Sequence, residues 1–121
     1  MECPKCGGEM LVTSLDNIEI DRCSQCHGLW FQPWELDELK FDQYRAPFAL
    51  DTGSAKVGRQ YNRVENPKCP ECGAVMAQQR DEEQKHILFD VCPEGHGVFL
   101  DAGEFTDLAR KTLWDRFKLR R

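Results

Sequence analysis

Pairs of cysteines with two intervening residues recur along this sequence, and their type and spacing point to metal chemistry. The chain contains seven cysteines and three histidines. Two thiolates held two residues apart on a tight turn, or knuckle, can both face one metal ion. Four such ligands complete the tetrahedral site that is typical of structural zinc. The spacing therefore predicts zinc bound at the knuckles of this chain.

The first predicted site uses the N-terminal cysteines. Its four ligands are two Cys-x-x-Cys pairs with sixteen residues between them: Cys3, Cys6, Cys23 and Cys26. The alternative is a set of disulfides or unrelated thiols. An odd number of cysteines leaves one thiol over in a purely disulfide framework. There is also no apolar run near Met1 that resembles a signal peptide. We therefore expect a reducing, cytoplasmic location, where paired cysteines act as metal ligands.

The second predicted site departs from the four-cysteine pattern. Gly95 stands where a fourth cysteine is expected, and a glycine has no side chain to bind a metal. Three interpretations compete: His96 completes the site, His86 completes it, or a water fills an open position. His96 is favoured because it follows the same knuckle, whereas His86 lies on an expected strand. The predicted ligands are three cysteines and one histidine, Cys69, Cys72, Cys92 and His96, giving two zinc ions in all.

The two sites belong to an internal repeat. Offsets of 66 and 69 residues superpose the corresponding cysteines and histidines of the two halves: Cys3 and Cys6 on Cys69 and Cys72, Cys23 and His27 on Cys92 and His96. His27 follows a competent ligand, Cys26. We therefore interpret it as a residue that supports the site by hydrogen bonding and does not bind the metal.

The elements between the knuckles define the expected fold. Each copy contains two short strands around a polar turn and then a short helix that carries a glutamate at its third position, Glu35 or Glu104. Asp101 is the expected N-cap of the second helix, which should run from residue 105 to about 118. The fold class is a small metal-stabilised α+β protein with two tandem zinc ribbons, each a knuckle, β-hairpin, knuckle and short helix. The expected domains are residues 1–40, a connector over 41–66, and residues 67–121.

Other residues have structural interpretations. Trp30 and Phe99 are expected in the core. Gly28 and Gly97 are expected to take backbone conformations that other residues resist. The connector is too rich in aromatic residues for a purely flexible linker, so it should dock on a ribbon, with only its middle, residues 51–58, mobile.

Charge bears on the partners. The chain carries a net charge of −5, and residues 1–40 hold eight acidic and three basic side chains. This balance disfavours general binding to phosphate backbones, which needs clustered lysine and arginine. We predict an interaction module that binds another protein, with no membrane. The alternative is nucleic-acid binding or a role in transcription through the basic C-terminal helix, near Trp114.

Enzymatic activity is not expected. The His-x-Glu motif of zinc deaminases is absent from the sequence, and no general base stands out, so no catalytic residue is predicted. A zinc-dependent hydrolase with an open second site is the least favoured hypothesis.

The motifs also resemble a known family. Cys3-Pro-x-Cys-Gly-Gly-x-Met10, Ile20-Asp-Arg-Cys-x-x-Cys26, Gly28-x-Trp-Phe and Glu35-Leu are similar to the transcription-factor zinc-finger family, whose zinc ribbon resembles that of transcription factor IIB. Asp90-x-Cys-Pro-x-Gly-His-Gly-Val-Phe-Leu-Asp101, followed by Gly103-Glu, resembles the corresponding part of a second copy. The resemblance covers roughly residues 1–40 and 67–108. It implies a zinc ribbon fold with zinc at the cysteine positions, and it implies little about activity.

Overall fold

The chain folds around one antiparallel sheet of six strands. The structure, a computed structural model, describes residues 1–39, 45–81 and 87–109. The strands are β1 (Met10–Leu15), β2 (Ile18–Cys23), β3 (Leu29–Phe31), β4 (Ala77–Arg80), β5 (Leu88–Val91) and β6 (Val98–Leu100). The helices are α1 (Pro33–Leu39), α2 (Arg45–Leu50) and α3 (Ala55–Tyr61), and residues 104–109 are also helical. The strand order is β1-β2-β3-β6-β5-β4.

Each ribbon contributes three neighbouring strands. In the first, β1 and β2 pair from Met10↔Cys23 to Leu15↔Ile18. Asp16 and Asn17 between them both take positive φ angles, 51° and 68°, as a two-residue hairpin turn requires. This confirms the predicted hairpin. The third strand of each ribbon, β3 or β6, was not predicted, since three-residue apolar runs give too short a periodicity to identify a strand.

The two ribbons join through their third strands. β3 and β6 pair antiparallel, with Trp30 opposite Phe99 at the centre of the register. Because the two strands come from equivalent positions of a repeat, this pair relates the ribbons by an approximate two-fold axis. Neither ribbon ends in an open edge here, so the sheet runs continuously from one metal-ligating unit to the other.

The sheet has a buried cluster on each face. Residues of both ribbons that lie beside the cysteines form the first cluster: Met10, Trp30, Met76 and Phe99. Trp30 and Phe99 are 2% and 0% exposed, as predicted for core residues. Helices α1 and α2 and the helix at residues 104–109 cover the other face, where the cluster comprises Ile20, Leu29, Phe31, Leu39, Ala46, Leu50, Leu100 and Phe105. There the Phe31 and Phe105 rings lie 5.1 Å apart between centroids.

The connector is ordered in its middle, contrary to expectation. Residues 55–61 form α3, which Ser54 caps by accepting a hydrogen bond from the amide of Val57. Gly58 of this helix is buried against the second ribbon, where a Cβ atom would lie 2.0 Å from the carbonyl oxygen of Ala102. The polar composition of residues 51–58 suits helix capping and close packing, so this stretch leads into a packed helix where we expected a mobile segment.

The helix at residues 104–109 is capped from the connector. Asp51 accepts hydrogen bonds from the amides of Gly103 and Thr106, at 2.9 and 3.0 Å, and from the Thr106 hydroxyl at 2.8 Å. Asp101, the predicted N-cap, instead directs its carboxylate to the Nζ of Lys5, 2.9 Å away. A remote carboxylate can replace a local cap because the unpaired amides of a first helical turn can donate to any well-placed anion.

The two predicted glutamate caps differ. Glu35 accepts a hydrogen bond from the amide of Gln32 at 2.7 Å, as a capping box requires. Glu104 accepts hydrogen bonds from the Asn62 side chain and the Leu88 amide, at 3.0 and 3.2 Å. It therefore ties the connector and β5 to the start of its helix.

Gly28 and Gly97 are required for a different reason than predicted. Neither takes the positive φ found at Gly7, Gly73 and Gly95. A Cβ on Gly28 would lie 2.3 Å from the Phe99 ring, and one on Gly97 would lie 2.5 Å from the Trp30 ring. Each glycine thus makes room for an aromatic ring of the other ribbon: Gly28 for Phe99 and Gly97 for Trp30.

Some predictions fall outside the described residues. These are the C-terminal helix beyond residue 109, the side chain of Trp114 and the alternative ligand His86. Within the parts of the chain that the structure describes, no helix combines the length and apolarity needed to cross a membrane.

Candidate metal centres

Four backbone turns hold the predicted ligands, and we call residues 3–8, 23–28, 69–74 and 92–97 the four knuckles. In each, the amide of the first cysteine donates to the carbonyl five residues later; the pairs are Cys3 to Gly8, Cys23 to Gly28, Cys69 to Ala74 and Cys92 to Gly97, at 2.7 to 3.1 Å. This shared closure fixes the first thiol of every knuckle in the same direction. The repeat in the sequence is thus a repeat of one backbone geometry.

The fourth knuckle differs in one respect. In the other three, the residue four positions after the first cysteine has a positive φ and donates its amide back to that cysteine; these residues are Gly7, His27 and Gly73. In the fourth, Gly95 does so after only three positions, with φ 81°. The left-handed residue has moved back by one, so the next side chain, His96, is the one that turns toward the cysteines.

The first cluster brings together Cys3, Cys6, Cys23 and Cys26, whose sulfurs all lie within 4.8 Å of one another. The Sγ atoms of Cys3 and Cys26 are 3.7 Å apart, and those of Cys6 and Cys23 are 3.3 Å apart. Zn–S bonds of about 2.3 Å in a tetrahedron require sulfurs about 3.8 Å apart. The donor set therefore fits one zinc ion with small adjustments.

Backbone amides donate hydrogen bonds to these sulfurs, which stabilises the negatively charged thiolate. The Cys3 sulfur accepts from the Lys5 amide at 3.4 Å, and the Cys23 sulfur accepts from the amides of Gln25 and Cys26 at 3.3 and 3.4 Å. Hydrogen bonds from Cys26 and then from the backbone outweigh burial and lower the pKa of Cys3 to about 5. This site can therefore present a thiolate, the form that binds metal, at neutral pH.

The second cluster contains Cys69, Cys72, Cys92 and His96, again with ligand atoms within 4.8 Å. The Cys92 sulfur lies 3.6 Å from that of Cys72 and 3.5 Å from the Nδ1 of His96. Burial acts to raise the pKa of Cys92, but hydrogen bonds from the backbone and ring of His96 outweigh it and lower the pKa to about 6. The two clusters are positioned to bind two zinc ions.

The two clusters differ in their access to solvent. Three of the four first-cluster cysteines are buried, whereas Cys72 and His96 of the second cluster are exposed. The second cluster therefore lies open to solvent on one side, whereas the first is more enclosed, with only Cys6 half-buried.

His27 lies outside the first cluster. Its Nδ1 is buried and has no hydrogen-bond partner among the residues that the structure describes. Its Cβ packs against Gly53, where an added Cβ would lie only 2.5 Å away. Nδ1 therefore supplies no hydrogen bond to a described residue in support of the predicted role, and the side chain packs against the connector.

Replacing His96 and replacing His27 are expected to give different zinc contents. His96→Ala should lose about one zinc ion per chain, because three thiolates leave the second tetrahedral site incomplete. His27→Ala should keep both ions. Metal analysis by mass spectrometry of purified, desalted variants measures this directly. Release of zinc by His27→Ala would show that the first site is assigned incorrectly.

A buried ionic network that the sequence did not reveal lies between the clusters. The Nζ of Lys5 is 2.9 Å from Asp90 Oδ2, from Asp101 Oδ2 and from the carbonyl oxygen of Tyr61. The three charged side chains are at most 2% exposed. The sequence offered only weak signs of this network: Lys5 lies between two predicted ligands, and Asp90 lies at a repeated position. Lysine and aspartate are usually exposed to solvent, so neither position predicted a buried ion pair.

The network contains one cation and two carboxylates. Burial raises the pKa of Asp101 to about 6 and also raises the pKa of Asp90. Burial acts to lower the pKa of Lys5, but attraction to Asp101 and Asp90 outweighs it and raises that pKa. Lys5 is thus held in its charged form. Its single charge cannot fully compensate two carboxylates, so ionising both Asp90 and Asp101 costs free energy because they are buried.

Asp101 is expected to titrate near pH 6 in the zinc-loaded protein. Its folded pKa of about 6 exceeds the unfolded value of about 3.9, so the folded state binds this proton more tightly. The contribution of Asp101 to stability is therefore fully present below the unfolded pKa and is lost as pH rises through the folded one, by about 3 kcal/mol. The ¹³C shift of its carboxyl carbon reports the titration, with Asp101→Asn as the assignment control. A midpoint at the unfolded value would contradict this expectation.

The model of a family described as "Transcription factor zinc-finger" matches residues 2–41 and 68–111. The two matched segments contain one cluster each and together cover more than half of the chain. No curated protein and no solved structure matches the chain significantly.

Proposed function

Because this chain belongs to the transcription factor zinc-finger family, with one family segment around each zinc cluster, we propose that its two zinc ribbons form a scaffold that binds another protein. The zinc ions hold the ribbons in shape, and the surface of the folded sheet makes the contact. The observation that carries this proposal is a set of large apolar side chains left exposed on an otherwise well-packed molecule.

The most exposed of these side chains is that of Phe48. It is 89% exposed on α2, although Ala46, Pro47 and Leu50 of the same helix are buried. Trp34 on α1 is 55% exposed and Leu11 on β1 is 49% exposed. Large aromatic side chains are enriched at protein interfaces, where they contribute much of the binding free energy.

These residues belong to the same side of the sheet. Helices α1 and α2 both contribute to the cluster on the helical face, through Leu39 and through Ala46 and Leu50. Leu11 lies four residues before Leu15 in β1, so the two side chains share a face of that strand. Leu15 packs against the same cluster. The proposed contact surface is therefore the helical side of the sheet, opposite the cluster that contains the zinc-ligating cysteines.

Both zinc ions have a structural role in this proposal. Each cluster offers four ligand atoms, and a tetrahedral zinc ion with four protein ligands has no open position for a substrate or an activated water. The proposed activity is therefore binding and not catalysis.

Nucleic-acid binding is the alternative that the family name suggests. The chain has a net charge of −5, and the basic cluster at its C-terminus begins at Arg110, outside the described residues. The two functions differ in salt dependence, since contacts to phosphates weaken steeply as salt rises. Retention on DNA or RNA that is lost at high salt, and lost on removing residues 110–121, would favour the alternative.

Site-specific crosslinking tests the proposed surface. A photo-crosslinking amino acid, p-benzoylphenylalanine, at position 48 is expected to trap a discrete protein adduct in the native host. The same amino acid at Gln79, which is exposed on β4 at the opposite end of the sheet, provides the matched control and should give none. Equal crosslinking at both positions, or none at position 48, would contradict the proposal.

A further inference from the structure

We infer that the two zinc sites are coupled, so that loss of the ion from either ribbon weakens zinc binding by the other. The coupling runs through reciprocal contacts in which each ribbon's first knuckle touches the other ribbon. It goes beyond the proposed function because it concerns how the protein gains and loses its metal.

The first contact starts between two ligands of the first site. Lys5 lies between Cys3 and Cys6 in the sequence, and its amide donates to the Cys3 sulfur. Its side chain crosses to the second ribbon, where Nζ is 2.9 Å from both Asp90 and Asp101 and 6.0 Å from the Phe99 ring centroid. Asp90 lies two residues before the ligand Cys92.

The second contact is the counterpart of the first. Glu71 occupies, between Cys69 and Cys72, the position that Lys5 occupies in the first knuckle, and its amide donates to the Cys69 sulfur. Its side chain crosses to the first ribbon and accepts a hydrogen bond from the Trp30 Nε1 at 2.8 Å. Trp30 is the partner of Phe99 in the β3–β6 register.

The space between the sites is filled by one cluster. Buried cysteines of both sites share it with Met10, Trp30, Met76 and Phe99. Gly28 and Gly97 let the Phe99 and Trp30 rings approach, again in a reciprocal manner. A knuckle that loses its ion therefore withdraws Lys5 or Glu71 from the opposite ribbon and exposes the cluster on which both sites rest.

The energetic reason lies in the buried charges. If the first knuckle opens, Lys5 leaves two carboxylates without their cation in a dry interior, and an unpaired buried charge is strongly destabilising. The second ribbon then opens more easily, and its ligands must be reordered before zinc binds again. By thermodynamic linkage, the effect of the second site on the first has the same size.

The test measures zinc affinity of the second site with and without the first. A competing chelator is titrated against zinc-loaded protein while NMR signals of the His96 ring report the second site. Cys26→Ser is expected to weaken the second site by about tenfold or more, within the usual range for coupled sites. An unchanged second-site affinity in Cys26→Ser would overturn the inference.

Matched variants of Glu71 identify the route. Glu71→Ala removes the acceptor for Trp30 and should reduce the effect of Cys26→Ser, whereas Glu71→Gln keeps an acceptor oxygen and should preserve it. If Cys26→Ser weakens the second site equally in the Glu71→Ala and Glu71→Gln proteins, the assignment of this contact is overturned.

A measurement on chains with all ligands intact covers the case in which Cys26→Ser does not fold. Native mass spectrometry during partial chelation counts chains with two, one and no zinc ions. The share of one-zinc chains at half occupancy is expected to be smaller in the wild type than in Glu71→Ala. An equal share in both proteins would overturn the route through Glu71, and an equal share in Lys5→Met as well, which removes the other crossing contact, would overturn the inference.

Discussion

Removing zinc is expected to unfold the six-stranded sheet. Structural zinc contributes about 10–16 kcal/mol to folding in small zinc-finger peptides, which matches or exceeds the net stability of about 5–15 kcal/mol of an ordinary domain. The ligands are spread over all four knuckles. Five of the seven cysteines belong to the buried cluster that contains Trp30 and Phe99, and Cys6 packs against it. Without the ions, these thiols lose the bonds that hold the knuckles against the sheet.

Circular dichroism and two-dimensional NMR during EDTA treatment measure this effect. The chelated protein should lose its dispersed amide signals and regain them when zinc is added back in stoichiometric amount. Cys26→Ser should lose about one ion even at neutral pH with zinc present, since serine is a poor zinc ligand. A chelated protein that keeps its dispersed spectrum would show that apolar packing alone suffices.

Gly58→Ala is expected to destabilise the zinc-loaded protein by about 3 kcal/mol, although alanine is the better helix former. In an exposed helix, this substitution gains about 1 kcal/mol. Here the new Cβ would lie 2.0, 2.8 and 2.9 Å from three backbone atoms of Ala102. Backbone cannot move aside as a side chain can, so α3 must shift off the second ribbon.

Gln60→Ala provides the control in the same helix. Gln60 is exposed, so its replacement tests helix propensity alone and should change the free energy of unfolding by a few tenths of a kcal/mol. Urea unfolding of the zinc-loaded variants measures both values, and metal analysis should find two ions in each. If Gly58→Ala proves as stable as the wild type, α3 does not pack against Ala102 in solution.

The grouping of the cysteines and His96 into two clusters was predictable because it depends on local geometry. Two cysteines with two residues between them fit one ion through a turn of only a few residues, and the repeat supplied the second copy. The same locality explains the success at Glu35 and at the Asp16-Asn17 turn, where partners lie within three residues along the chain.

Residues whose partners lie far along the chain were not predictable. Asp101 looked like an N-cap by its spacing from Glu104, yet Lys5 draws its carboxylate across 96 residues of sequence. Asp51 takes over the cap from the connector, 52 residues from Gly103. A buried cation competes successfully with a local amide because charge–charge attraction is much stronger in a dry interior than at a surface.

The sequence by itself determined the zinc chemistry, the repeat and the ribbon fold, since each depends on spacings of a few residues. Only the tertiary structure decided that the two ribbons share one sheet and that Gly28 and Gly97 make room for aromatic rings of the opposite ribbon. It also decided that the side chains of Lys5 and Glu71 each contact the opposite ribbon. These features arise from packing two equivalent surfaces around an approximate two-fold axis. Which surfaces meet depends on shape and buried charge in three dimensions, and periodicity along the chain carries no record of it.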